Sequence, residues 1–144
     1  MTHIIRLIED HTALDTCACT LAILTESPSP MPETAFDELQ RFRDALNTHL
    51  AEEAGFLKGM TGVGRVEFAR HAAAHEHRFA DLVVEWETYL SEWSEETIGE
   101  DWVNFGVATR WMMGRLREQI KAENAILYPL AVQHGVVRLR AEAA

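Results

Sequence analysis

A chain of 144 residues, 25% charged and 47% hydrophobic, has the size and mix of one globular domain and can bury about two thirds of its unfolded surface. Its formal net charge of −10 argues against nucleic acid and an anionic membrane as partners, and it favours the attraction of cations. No stretch approaches the ~20 apolar residues of a membrane span, and the opening MTHIIRLIEDH carries acids where a signal peptide carries its apolar core, so a cytoplasmic setting is expected.

Proline and glycine clusters divide the chain into four helical stretches. The first covers about 4–24 and stops before SPSPMP, whose prolines cannot continue it. The second covers about 33–58 and ends at Gly59, where GMTGVG reads as a turn. The third covers about 65–90, and SEWSEETIGED reads as the next loop. The fourth covers about 101–128, opening on Asp101 as an N-cap and ending at Tyr128-Pro129. Strand-like alternation is absent, and Ala, Leu, Glu and Arg dominate. The expected fold is all-α, an up-down-up-down antiparallel four-helix bundle forming one domain over 1–144.

Stepping ~100° per residue gives each helix an apolar stripe, and every stripe contains a polar residue. His11 falls near the centre of the first, among Ile4, Leu7, Leu14, Ala18 and Leu21. His49 and Glu53 lie inside the second, between Leu39, Phe42, Leu46, Leu50, Phe56 and Leu57. His75 lies with Phe68, Ala72, Phe79, Leu82 and Trp86 on the third, with His71 toward one edge and His77 on the opposite side. Gln119 and Glu123 sit among Phe105, Met112, Leu116, Ile120, Ile126 and Leu127 on the fourth. The spacings His49-x-x-x-Glu53, His71-x-x-x-His75 and Gln119-x-x-x-Glu123 each stack two side chains on one helix face. Burying such groups unpaired is costly. Two solutions exist: a buried salt-bridge network, which is itself expensive, or a divalent cation, which satisfies nitrogen and oxygen donors converging inside a bundle.

The other features read as packing or surface. Cys17 and Cys19, the only cysteines, point apart on a helix and do not form a disulfide with each other. Met112 and Met113 read as core filler, and Trp86, Trp93, Trp102 and Trp111 as packing at the bundle ends. Tyr128 either bonds near the site or caps its helix. His134 reads as surface, and Arg138 and Arg140 belong to a polar tail. Neither a catalytic Ser/His/Asp set, a glycine-rich phosphate loop nor a CxxC pair is present.

The second and fourth helices repeat weakly at an offset of seventy residues. HLAEEAGFLKGM (49–60) overlies QIKAENAILYPL (119–130), matching His49 to Gln119, Glu53 to Glu123 and Leu57 to Leu127. Two helix hairpins, each with a His-bearing helix followed by an [HQ]-x-x-x-E helix, together with Leu-Tyr-Pro after the last glutamate, resemble the hemerythrin-like (HHE cation-binding) domain family over about residues 4–130. The resemblance implies a non-haem di-iron centre in a four-helix bundle. It implies Glu53 and Glu123 as bridging carboxylates, His11 and His49 on one iron, and His71 and His75 on the other. The departure is Gln119, where the family pattern has a histidine. An amide oxygen is a much weaker donor to iron than imidazole. The centre would then hold two irons with one loosely bound, one iron through His11, His49, Glu53 and Glu123, or none.

By this resemblance the chain is a metal-binding protein that binds or senses O2, NO or another small diatomic, or handles iron. Two other classes compete: a di-iron oxidase, peroxidase or iron-centre repair enzyme, and a metal-free helical interaction bundle that has lost part of its site. An exposed tryptophan or the Val137-containing tail offers a surface for a homo-oligomer.

Overall fold

The computed structural model describes the backbone of residues 4–60 and 66–133, and the side chains of all of these except 56–60, 66–69 and 133. Among the described residues the protein is all-helical, with no strand. Helix α1 runs Ile4–Leu24, α2 Pro32–Met60, α3 Val66–Glu92, α4 Glu95–Glu100 and α5 Trp102–Ala122. A π-helical segment follows at Glu123–Leu127 and leads directly into α6, Tyr128–Gln133. Most of the expected GMTGVG turn, the tail with His134, Val137, Arg138 and Arg140, and the side chains of Phe56, Leu57 and Phe68 lie outside the described residues. None of the described helices is long and apolar enough to cross a membrane.

The long helices bury seams that repeat every three to four residues. On α1 the seam is Ile4, Leu7, His11, Leu14, Ala18 and Leu21; on α2 it is Ala35, Leu39, Phe42, Leu46, His49 and Glu53. On α3 it is Ala72, His75, Phe79, Leu82, Trp86 and Tyr89. Strict 3-4 alternation keeps one narrow line of each helix facing its neighbours. Helix α1 packs on α2 and α5, and α3 packs on both α2 and α5. These three seams therefore meet the buried face of α5, which includes Phe105, Thr109, Met112 and Leu116, along one core. Trp86 is fully buried there, edge-on to Phe42 and stacked on Tyr89. Trp111, by contrast, is exposed, with the Arg115 guanidinium over its ring at 5.7 Å. The tryptophans thus do not share one packing role.

Two local features depart from the sequence expectation. The first is α4, inside the stretch read as a loop. Ser94 and Thr97 form a capping box, the Thr97 amide donating to Ser94 Oγ at 3.2 Å and the Ser94 amide to Thr97 Oγ1 at 2.7 Å. Glu95 and Glu96 complement the helix dipole in the first turn. Ile98, fully buried, anchors this short helix to the core. Asp101 then caps α5 as expected, accepting from the Asn104 amide.

The second is the π-helical segment. The Tyr128 amide donates to the carbonyl of Glu123, one residue further back than in an α-helix. Pro129 supplies the physical cause: it has no amide to offer, and its ring crowds the carbonyl four residues before it. The extra residue in the turn moves the following buried set one position along. Leu127, Tyr128 and Ala131 are buried, whereas Ile126, expected in the apolar stripe, is 54% exposed.

This phase slip separates two neighbouring apolar residues energetically. Leu127→Ala should lower the unfolding free energy by about 2–4 kcal/mol, whereas Ile126→Ala should change it by less than about 0.5 kcal/mol. Denaturant titration of both variants measures the contrast. Similar losses would mean that the helix runs through residue 123 without a slip.

Candidate metal centre

The seam positions that are polar come together at one level of the core. His11 comes from α1, His49 and Glu53 from α2, His75 from α3 and Glu123 from the π-helical segment, and all five are buried to 97% or more. His11 Nε2 lies 2.8 Å from Glu123 Oε1 and 2.9 Å from His49 Nε2. His49 Nε2 lies 3.0 Å from Glu53 Oε2. His75 Nε2 spans the two acids, 3.1 Å from Glu53 Oε1 and 3.1 Å from Glu123 Oε2. One donor atom from each of His11, His49, Glu53 and Glu123 falls within 4.8 Å of the other three.

The outer edges of two imidazoles are also held. His11 Nδ1 lies 2.9 Å from Asn124 Oδ1, and His49 Nδ1 lies 3.2 Å from Asp10 Oδ2. Carboxylate and amide oxygens only accept, so each Nδ1 carries the hydrogen. In a neutral ring the corresponding Nε2 is then a bare lone pair. Two such lone pairs 2.9 Å apart, each beside a carboxylate oxygen, repel one another. A positive centre among them, a proton or a metal cation, is what reconciles the arrangement.

Donor spacing fits a metal. An ion with bonds of ~2.1 Å sets adjacent donors ~3 Å apart in a compact coordination shell. The contacts of 2.8, 2.9 and 3.0 Å among His11, His49, Glu53 and Glu123 have that spacing. Mixed imidazole and carboxylate donors suit first-row transition metals such as iron, zinc or manganese.

The electrostatics of the metal-free cluster are those of a shared proton. Burial pushes Glu53 up, against the opposing pull of His49 and His75. Burial acts the same way on Glu123, but contacts with His11 and His75 prevail and hold it well below the usual carboxylate range. Burial would lower His75, yet the carboxylates of Glu123 and Glu53 outweigh it and raise the imidazole to about 9. For His49, burial is likewise outweighed by Glu53 and Asp10, and its pKa rises. Tyr128, stacked on His11 with its hydroxyl 3.4 Å from Glu123 Oε1, is pushed up by burial and by the charges of Glu53 and Glu123. Its phenol keeps its proton.

Gln119 reaches the cluster but faces it with its nitrogen. Nε2 lies 3.1 Å from Glu123 Oε2 and 3.2 Å from His75 Nε2, so the amide donates to the carboxylate. A cavity of about 20 Å³ opens beside His49, Glu53, Gln119 and Glu123, and its other walls are apolar side chains such as Phe42 and Phe79. That volume takes one water-sized molecule.

His71 does not join. It is exposed, whereas the seam of α3 passes through Ala72 and His75. A residue directly before Ala72 lies about 100° off that line, and the narrow 3-4 seam leaves no room for both histidines of the His71-x-x-x-His75 pair. His77 is exposed as well, on the side expected for it. Asp10 and Asn124 escape a reading based on stripes, because neither is a seam residue. The available signal is adjacency, since each immediately neighbours a residue of the cluster. No protein family, curated protein or solved structure matches the chain.

The shifted histidine gives the metal-free protein a distinctive pH response. His75 binds its proton more tightly folded than unfolded, since its pKa moves from 6.5 to about 9. That stabilisation is complete below 6.5 and is lost as pH rises through about 9. The melting temperature of chelator-treated protein should therefore fall across this window, and His75→Gln should flatten the fall. A wild-type melting temperature that is level from pH 6.5 to 9 would contradict the assignment.

Proposed function

We propose that this chain is a non-haem iron-binding protein that binds or senses O2 or NO, or handles iron, through the buried cluster. The observation that carries the reading is the pair of imidazole Nε2 atoms 2.9 Å apart, each beside a buried carboxylate and each backed by an acceptor at Nδ1. His11, His49, Glu53 and Glu123 would hold one ion. His75, bonded to both carboxylates, would serve a second, with Gln119 in the remaining place. The resemblance to hemerythrin-like domains supports iron as the metal and an up-down-up-down four-helix bundle as the arrangement of the long helices.

Ferrous iron supplies the electron density that a bound diatomic needs. The chain supplies the surroundings. The 20 Å³ cavity beside His49 and Glu53 has room for one water-sized molecule, and most of its lining side chains are apolar. Tyr128, with its proton held, donates toward Glu123 rather than competing as an anionic ligand. Gln119 spends its amide on Glu123, which leaves the His75 side with fewer donors than the His11 side.

Reconstitution with ferrous iron in the absence of oxygen, followed by desalting and elemental analysis, tests this reading. The expected content is about one iron per chain or slightly more, raised toward two by Gln119→His and abolished by Glu53→Ala. The loaded protein should change its absorption spectrum on addition of NO. A folded protein that retains no iron would leave a metal-free helical bundle as the reading.

A further inference from the structure

The contacts around the two histidines form a repeated device. Asp10 and His11 are consecutive on α1, and together they flank one imidazole. Asp10 Oδ2 takes Nδ1 of His49 at 3.2 Å while His11 Nε2 faces its Nε2 at 2.9 Å. Glu123 and Asn124 are consecutive in the π-helical segment and flank His11 in the same way. Asn124 Oδ1 takes Nδ1 at 2.9 Å and Glu123 Oε1 meets Nε2 at 2.8 Å. Each ring is thus flanked at both nitrogens by adjacent residues of another element, held at Nδ1 and facing the cluster with the Nε2 lone pair. In an α-helix adjacent side chains diverge by about 100°. On α1, Asp10 sits at the half-exposed margin of the buried line and still reaches across to α2. At residue 123 the wider π turn lets Glu123 point inward while Asn124, on the exposed side, still reaches the His11 ring.

We infer that Asp10 and Asn124 are positioning residues for the centre. By accepting the Nδ1 hydrogens they fix the tautomer and tilt of His49 and His11, so that both Nε2 lone pairs aim at one point. The inference rests on the metal reading above. Its physical basis is general: an imidazole ligand free to rotate or change tautomer must be ordered when the ion arrives, and one held beforehand need not be. Asp10 adds a further effect, because a carboxylate behind Nδ1–H makes the opposite nitrogen a stronger donor. Asn124, being neutral, gives orientation with less of that electronic push. The two histidines are therefore unequal ligands, His49 the stronger.

Asp10 and Asn124 sit at the rim, so their removal leaves the core in place. Cobalt(II) serves as the probe, with affinity measured against a competing chelator and the visible bands recorded for each protein. Asp10→Ala and Asn124→Ala should each weaken binding about 10–100-fold and alter the cobalt bands, while the metal-free melting temperature stays close to wild type. Asp10→Asn and Asn124→Asp, which keep an acceptor oxygen, should recover most of the affinity, with the Asp10→Asn bands still shifted because the charge is gone. Alanine variants that bind as tightly as wild type, with unchanged bands, would overturn the inference. So would a drop in metal-free stability large enough to account for the lost affinity, or acceptor-retaining variants no better than alanine. Independently of any metal, nitrogen NMR of the metal-free imidazoles should show hydrogen on Nδ1 of both rings, and hydrogen on Nε2 alone would contradict it. Wild-type protein that takes up no cobalt or iron removes the centre itself, an outcome distinct from loaded protein indifferent to Asp10 and Asn124.

Discussion

Two carboxylates and three imidazoles inside a helical core impose one condition on everything around them: their charges must cancel within a few ångströms. Water cannot screen them, since His11, His49, Glu53, His75 and Glu123 are all at least 97% buried. In a low-dielectric interior an unmatched charge is far more costly than any single apolar contact is favourable. The helices must therefore approach closely enough for nitrogen and oxygen atoms to meet at 2.8–3.1 Å, and they must do so at one level. The apolar seams above and below this level, with Leu14, Leu46 and Leu116 on one side and Leu7, Leu127 and Ala131 on the other, hold that approach in register. The structure satisfies the condition from inside by proton sharing, and the same donor atoms stand at the spacing a cation requires.

Much of this architecture could be read from the chain because helical period is a strong signal. A stripe that repeats every three or four residues announces its face, and a histidine within it announces burial, so His11, His49, Glu53, His75 and Glu123 were all accessible to that logic. His71 was not, because a spacing of four fits a helix face about 100° wide but fails a seam one residue wide. The slip at residue 123 was hidden for another reason: Pro129 signals an end to α-helical geometry, yet nothing local says whether the chain stops, kinks or widens. Helix α4 was legible in hindsight, through Ser94, Thr97 and buried Ile98, but its glutamates and glycine resemble those of a loop. Asp10 and Asn124 had no periodic signal at all. Their role comes from three-dimensional adjacency, which a one-dimensional pattern does not carry.

Gln119 makes the cluster lopsided. On the side of His11 and His49, both Nδ1 atoms have an acceptor, and the two Nε2 atoms face one another and the carboxylates. Beside His75 a neutral amide turns a donor inward, and the small cavity next to that amide is lined by His49, Glu53 and Glu123 as well as by apolar groups. The weak sequence repeat at an offset of seventy residues stops at the chemistry: His49 turns a ring nitrogen to Glu53, and Gln119 an amide donor to Glu123.

The distance along the chain between the partners has a temporal consequence. His11 meets Asn124 across 113 residues and Tyr128 across 117, so the cluster joins the first described helix to the last. Contacts of such long sequence separation form late, after the entropy of closing the loop has been overcome. On a ribosome, α1 would leave the exit tunnel well before its partners in the π-helical segment have been made. Through that interval His11 and Asp10 have only their α2 partner His49 to meet, and the Glu123 and Asn124 side of the cluster is missing. The cluster is complete only when the π-helical segment docks against α1.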